Sequence, residues 1–217
     1  MRIALHIPVW KRLDLTRACY EGLKRNSKEF QELGFDLIPY IAYSEKAHGA
    51  LADEYGWKKK WIKNDRLGTK NQALYEWMKK DEWEWFMQLG SDDFLLPGGA
   101  EVIVENMKEH KFACFDSLFF FQKDTRLGTE LRGYRCGAGR YIHRSIVDRV
   151  DLMWNDRVKG CDGYSAGRVH MLTGERLRTM KGTYIADVKS DVNVTQYFQA
   201  TPEIFEMDGI IPEAELI

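Results

Sequence analysis

Strand-length apolar runs separated by segments of helical periodicity are the feature that most restricts how this chain can fold. "RIALHI" (2–7), "FDLIPYIAY" (35–43), "WEWFMQL" (83–89) and "FACFDSLFFFQ" (112–122) are rich in branched and aromatic residues. Such near-continuous runs suit strands buried on both faces. Between the first two, Leu15, Ala18, Cys19, Gly22 and Leu23 share one helical face, with Asp14 as the expected cap. "EKAHGALADEYG" reads as a weaker helix, and "GTKNQALYEWMKK" (68–80) as a stronger one capped by Thr69, with Leu74, Trp77 and Met78 together. "GGAEVIVENMKEH" completes the series. Strand and helix in alternation predict an α/β chain with a mostly parallel, Rossmann-like central sheet and helices on both faces. "WKKKWI" is expected as an exposed edge strand, and Pro39 pushes the second strand toward an edge or a bulge. Further on, "SIVDRVDLMW" reads as a helix, "GTYIADVKS" as a late strand, and the residues after Thr201 as a loosely packed tail. With 217 residues, no repeats and no linker-like stretch, a single domain over 1–217 is expected.

Composition removes several function classes. A net charge of −1 gives no general field for nucleic acid or an anionic membrane. Cys19, Cys114, Cys136 and Cys161 lack paired spacing, so free thiols in a cytoplasmic setting are expected rather than a zinc site. The opening apolar run is broken at Pro8, too short to span a bilayer, and no integral membrane segment is expected elsewhere.

The chemistry-bearing stretch is "LGSDDFLLP" (89–97), where Asp92 and Asp93 stand side by side at the end of an apolar strand. In open parallel sheets, ligands lie at the carboxyl ends of the strands. Two carboxylates there make a hard-oxygen site for Mg²⁺ or Mn²⁺, completed by phosphate and water. A solvated turn is the competing reading, because Asp and Ser favour turns.

The succession "HIPVWKR", "RLGTKNQAL", "LGSDDFLLPGG", "GAGRYIHRS" and "KGCDGY" resembles the family 2 type of GT-A nucleotide-sugar glycosyltransferase, in order and spacing, over roughly residues 1–165. The resemblance implies a nucleotide-sugar-binding half (1–110), an acceptor half (111–200) and a C-terminal tail (201–217). It implies a UDP- or GDP-sugar donor, a carbohydrate or other hydroxyl acceptor, an Mn²⁺ or Mg²⁺ cofactor on Asp92 and Asp93, and inversion at the sugar. In the first loop, Pro8 holds the backbone extended, Trp10 either stacks on a base or packs in the core, and Lys11 or Arg12 meets phosphate. The acid that commonly reads the base has only Ser44 and Glu45 as candidates. Gly68 and the following helix N-terminus are expected against the diphosphate, with Lys70 or Arg66 adding charge and Asn71 hydrogen bonds; a well-capped helix explains the same residues. Arg140 suits a diphosphate or, equally, a surface salt bridge, and His143 is a structural strand histidine. Asp162 is placed as the base that takes the acceptor's proton, or else as the cap of the next helix, with His170 a possible late metal ligand.

The sequence departs from that family at two points. Gly90 stands where the first acid of the metal motif usually is, and only one acid, Asp162, stands where two are usual. These departures keep alive a non-catalytic nucleotide-binding or scaffold protein of the same shape. A nucleotidyltransferase on a related sheet is the other rival, but it would need a Gly-rich loop after the first strand, and "HIPVWKR" has no glycine.

Overall fold

The computed structural model describes residues 1–190 and 203–212. Its elements run β1 (Arg2–Pro8), α1 (Leu13–Glu32), β2 (Asp36–Tyr43), α2 (Lys46–Glu54), β3 (Lys58–Trp61), α3 (Leu67–Met78), β4 (Trp85–Gln88), β5 (Asp93–Leu95) and α4 (Gly99–Met107). The second half continues with β6 (Phe112–Phe115), β7 (Ser117–Gln122), β8 (Leu127–Arg132), β9 (Tyr141–His143), α5 (Arg144–Val147), α6 (Cys161–Thr173), β10 (Arg178–Met180), β11 (Ile185–Lys189) and β12 (Phe205–Glu206). The fold class expected from the alternation is what the chain adopts.

A seven-stranded sheet in the order β10-β6-β9-β4-β1-β2-β3 forms the centre. All of its pairings are parallel except those of β9, which runs against both β4 and β6. Alternate side chains of β1 divide between two cores, as the period of a strand requires. Ile3, Leu5 and Ile7 meet the apolar faces of α1, α2 and α4. Ala4 points the other way, into a core built with α3, α5 and α6 around Trp154. Pro39 is tolerated because β3 pairs with β2 only from Tyr40 onward, which leaves the proline with a neighbour strand on one side alone.

A second, five-stranded sheet (β12-β8-β7-β11-β5) is the part that periodicity did not foretell. The run 112–122 is two strands in two different sheets. Asp116 breaks it: its N–H bonds to the Met180 carbonyl and its carboxylate to Lys181, 2.5 Å away. Other expectations need correction too. α1 and α3 begin at Leu13 and Leu67, so neither Asp14 nor Thr69 is a cap; both lie inside the first turn. In "SIVDRVDLMW" only one turn, α5, is helical. Beyond it the side chains of α3 take over the backbone groups: Gln72 accepts from the N–H of Met153 and of Trp154 at 3.0 Å each, and the Tyr75 hydroxyl lies 3.0 and 2.7 Å from the carbonyls of Val147 and Val150. Satisfied in that way, the segment has no need of a helix. The tail is packed where it is described, with β12 on β8 and Met207 and Ile211 buried in a third core. Residues 191–202 and 213–217 of the expected acceptor half and tail lie outside the described residues.

Candidate functional site

β1, β2 and β4 are parallel neighbours, so their carboxyl ends bring the loops after Pro8, Tyr43 and Gln88 to one edge of the sheet. The Val9 N–H bonds to the Ala42 carbonyl at 2.9 Å and the Leu89 N–H to the His6 carbonyl at 3.1 Å, which knits the loops at their roots. Pro8 pairs with Ala42 as the last extended residue. Beyond it, Lys11 and Arg12 take left-handed backbone angles (φ 53° and 52°), a conformation that non-glycine residues seldom adopt. The turn carries the Arg12 side chain back over the β4 end, where its guanidinium lies 2.8 Å from Asp92 and 3.4 Å from the Ser91 hydroxyl. Trp10 is half-buried beneath the Lys11 ammonium, 4.5 Å from the ring centre.

Three carboxylates converge there. Asp92, Asp93 and Asp187 present oxygens that all lie within 4.8 Å of one another. Asp187 comes from β11, directly opposite Asp93 in the antiparallel β5–β11 pair. Like charges in that relation destabilise a sheet. The electrostatics register the strain. Burial, with Asp187 and Asp92 nearby, holds the Asp93 carboxyl well above its ordinary range. Burial lifts Asp187 to about 7 even though Lys189 and Arg12 pull the other way. Lys189, two residues on along the same strand face, sits 2.6 Å from Asp187 and 3.3 Å from Asp92. Among the described residues, three acids therefore face two cations, Arg12 and Lys189, in a largely enclosed space. An all-oxygen donor set that is short of positive charge fits Mg²⁺ or Mn²⁺.

Sequence reasoning missed Asp187 and Lys189. Their signal was the spacing in "ADVKS": an acid and a base two apart in an otherwise apolar strand share one face.

The second cluster lies around Asp162, in the first turn of α6. The residue preceding that helix is Gly160, so Asp162 is not its cap, although a carboxylate there suits the helix dipole. The Asp162 side chain is 53% exposed, accepts a hydrogen bond from Gln88 at 2.7 Å, and rests against the Cα of Gly137, where any Cβ would overlap it. Arg140 is beneath it and only 2% exposed, so it is no surface salt bridge. Its guanidinium donates to the Asp162 carbonyl (2.8 Å), the Gln88 side chain (2.7 Å) and the Ser165 hydroxyl (2.7 Å). These bonds commit Arg140 to fixing α6 and Asp162 from inside the protein rather than to meeting a diphosphate. Burial raises the Cys136 thiol, with the Cys114 thiol and the Asp93, Asp187 and Asp162 carboxylates adding to it.

Other expected residues have different duties. A Cβ on Gly68 would overlap the Asn155 carbonyl, and the Gly68 N–H bonds to the Arg157 carbonyl at 2.8 Å. The close approach that Gly68 permits in this fold is by the chain's own 155–157 segment. Arg66 pairs with Asp156 at 2.6 Å in the same contact. Lys70 is 1% exposed and ties the first two loops together through the Val9 carbonyl (2.5 Å) and the Ser44 hydroxyl (3.3 Å). Burial brings its ammonium down to about 8. Asn71 is buried with its side-chain oxygen unpartnered, while its carbonyl meets His6 at 3.0 Å. Glu45 pairs with His48, and His143 holds the start of α5. His170 lies on the Asp162 side, outside the carboxylate cluster.

No family model and no curated protein sequence matches the chain. Solved structures do. S. aureus TarS, residues 1–349, aligns at 11% identity with a TM-score of 0.59, covering 87% of this chain and 60% of that one. The same protein in complex with UDP gives 12%, 0.60, 88% and 61%. The chain thus spans about 60% of the TarS fragment's length. A CMP:2-keto-3-deoxy-manno-octonic acid synthetase complexed with CTP aligns at 14% and 0.51, covering 84% of this chain and 90% of that one. The inositol-1-phosphate CTP transferase from T. maritima aligns at 9% and 0.50, with 90% and 92% coverage. At these identities the likeness establishes the fold, which is GT-A-like. Among the described residues, no helix is long and apolar enough to cross a membrane.

Proposed function

We propose that the protein transfers a sugar from a nucleotide-diphosphate sugar to a hydroxyl acceptor, with inversion, using Mg²⁺ or Mn²⁺ held by Asp92, Asp93 and Asp187. The observation that carries this reading is the convergence of three carboxylates with Arg12 and Lys189 at the carboxyl edge of the sheet, beside a separate, half-exposed Asp162. When bound, the metal supplies positive charge to the departing diphosphate. The nucleotide lies across the loop after β1, where Pro8 shapes the backbone, Trp10 offers its ring to a UDP or GDP base, and Arg12 meets phosphate. Lys70 and Asn71 hold the floor of that pocket rather than the diphosphate itself. Asp162 accepts the proton from the acceptor hydroxyl as that oxygen attacks the anomeric carbon from the face opposite the leaving group, which inverts that centre. Gln88 and Arg140 fix the orientation of Asp162 throughout.

A nucleotidyltransferase is the second reading. It is favoured by the near end-to-end coverage, 90% and 92%, of the two CTP-using neighbours. Against it stands the loop 9–12, which contains no glycine to wrap a triphosphate. Incubation of UDP- and GDP-sugars with Mn²⁺ tests the proposal. Donor hydrolysis or transfer should release the nucleoside diphosphate, and Asp92→Asn should reduce it by about a hundredfold or more while the fold persists. Release of pyrophosphate from a nucleoside triphosphate would favour the second reading instead. Full activity in Asp92→Asn would remove the metal assignment, and nucleotide binding without turnover would indicate a binding protein.

A further inference from the structure

The cleft that opens in front of Asp162 has a volume of about 510 Å³. Its floor is one face of α6, where Asp162, Gly163, Ala166, Gly167 and His170 recur at helical spacing. At the helical rise of ~1.5 Å per residue, Asp162 and His170 are ~12 Å apart along that floor. A Cβ built on Gly163 or on Gly167 meets nothing within 4 Å, so the floor between the two ends is bare. The walls are basic. Arg135 stands at the Asp162 end, two residues before Gly137, whose Cα touches the Asp162 carboxylate. Arg176 stands at the other end, just past the α6 cap Gly174, where the neighbouring Glu175 carbonyl lies 3.1 Å from His170.

Arg135 and Arg176 are exposed and have no acidic partner among the described residues. Among the described residues Asp162 is the one acid lining the cleft, and the exposed guanidinia of Arg135 and Arg176 line it too, with the buried Arg140 beneath. Guanidinium forks match the geometry of phosphate and carboxylate.

We propose that this cleft binds an acceptor bearing an anionic group, a phosphate ester or a carboxylate, which Arg176 holds at the far end while the acceptor's hydroxyl lies at Asp162, with Arg135 adding longer-range positive charge. The proposal rests on the transferase reading above and names the class of its acceptor. The ~12 Å reach exceeds one sugar ring. The charge therefore belongs to a unit next to the reacting one, as in an anionic oligosaccharide or polymer laid along the bare glycine floor.

Calorimetric titration with three probes tests it: a phosphorylated disaccharide, a disaccharide containing a uronic acid, and a neutral disaccharide of the same size. At least one anionic probe should bind about tenfold more tightly than the neutral one, and less tightly as salt is raised. The identity of the tighter anion separates phosphate from carboxylate. Arg176→Ala should weaken that binding by about tenfold and Arg135→Ala by less, Arg176→Lys should restore part of it, and Gly167→Trp should abolish it by filling the floor. Equal binding of neutral and anionic probes, absence of binding by any probe, or indifference to both alanine variants would overturn the proposal. UDP binding with Mn²⁺, measured on the same samples, separates the two ideas. Its absence beside intact anion binding rejects the transferase reading alone, whereas its presence without anion preference rejects only the acceptor class.

Discussion

Replacing Lys189 with Met tests whether the carboxylate cluster is short of positive charge. The ammonium lies 2.6 Å from Asp187 and 3.3 Å from Asp92, with its side chain 10% exposed. At an effective dielectric of ~20 those separations correspond to attractions of ~6 and ~5 kcal/mol. Much of that is cancelled by the desolvation of the ammonium. Removing one partner from a buried ionic network typically costs about 3–5 kcal/mol. The lower end, ~3 kcal/mol, applies here because Asp93 and Asp187 relieve the excess charge by taking up protons. For a chain of this size each kcal/mol moves the melting temperature by ~2–4 °C, so Lys189→Met should melt ~6–12 °C below the wild type in chelator. If the cluster holds a divalent ion as proposed, Mn²⁺ should then return part of the loss by binding the folded state alone. Thermal melts followed by circular dichroism, with chelator and with Mn²⁺, read both effects. A variant within ~1 kcal/mol of the wild type, and no more responsive to Mn²⁺, would refute the electrostatic reading of the site.

The same cluster sets a pH dependence. Asp93 and Asp187 have folded pKa values above the unfolded carboxylate value of ~3.9, so the folded state keeps protons that the unfolded state has released. Their contribution to stability is therefore present at acid pH and is lost as pH rises toward about 7, the folded value of Asp187. Because metal must displace those protons, the Mn²⁺-induced rise in melting temperature should be larger at about pH 8 than at about pH 6, and Asp187→Asn should flatten the difference. A pH-independent Mn²⁺ shift would place the ion elsewhere. Gly137→Ala puts a methyl group where the Asp162 carboxylate now rests. It should lower donor turnover by about a hundredfold with little change in nucleotide affinity, and steady-state kinetics showing an unaltered kcat would dissociate Asp162 from proton transfer.

What the sequence made legible followed from periodicity. The central parallel sheet, its helices on two faces and the position of Asp92 and Asp93 at a strand end could all be read from apolar runs and their lengths. The second sheet could not, because the break at Asp116 is a tertiary event: its partners are Met180 and Lys181, sixty-odd positions away in the chain. Residue environments could not be read where burial decided them. Gly68, Lys70 and Arg140 belong to types that commonly meet phosphate, yet each is taken up by backbone or side chains of the protein itself. No local pattern distinguishes a lysine that donates to the Val9 carbonyl from one that waits for a ligand.

Gly90 is the departure from the family pattern whose meaning changes most in three dimensions. By sequence it is a lost acid. In the fold, its N–H bonds to Asp93 at 2.6 Å, and a Cβ at this position would stand 2.6 Å from that same oxygen and 2.8 Å from Asp92. No aspartate fits there while Asp93 turns inward. The third carboxylate arrives from the opposite strand, with Asp187 facing Asp93 across the β5–β11 ladder. An acid pair directly opposed in a sheet is a liability that packing alone would not retain, and here Lys189 is brought up on the same strand face to offset it. In this fold the third acid, and a base beside it, come from a strand rather than from the loop. That arrangement couples the proposed cation site to the second sheet, so substitutions that disturb β11 should register at Asp92 and Asp93 before they register anywhere else in the proposed donor site.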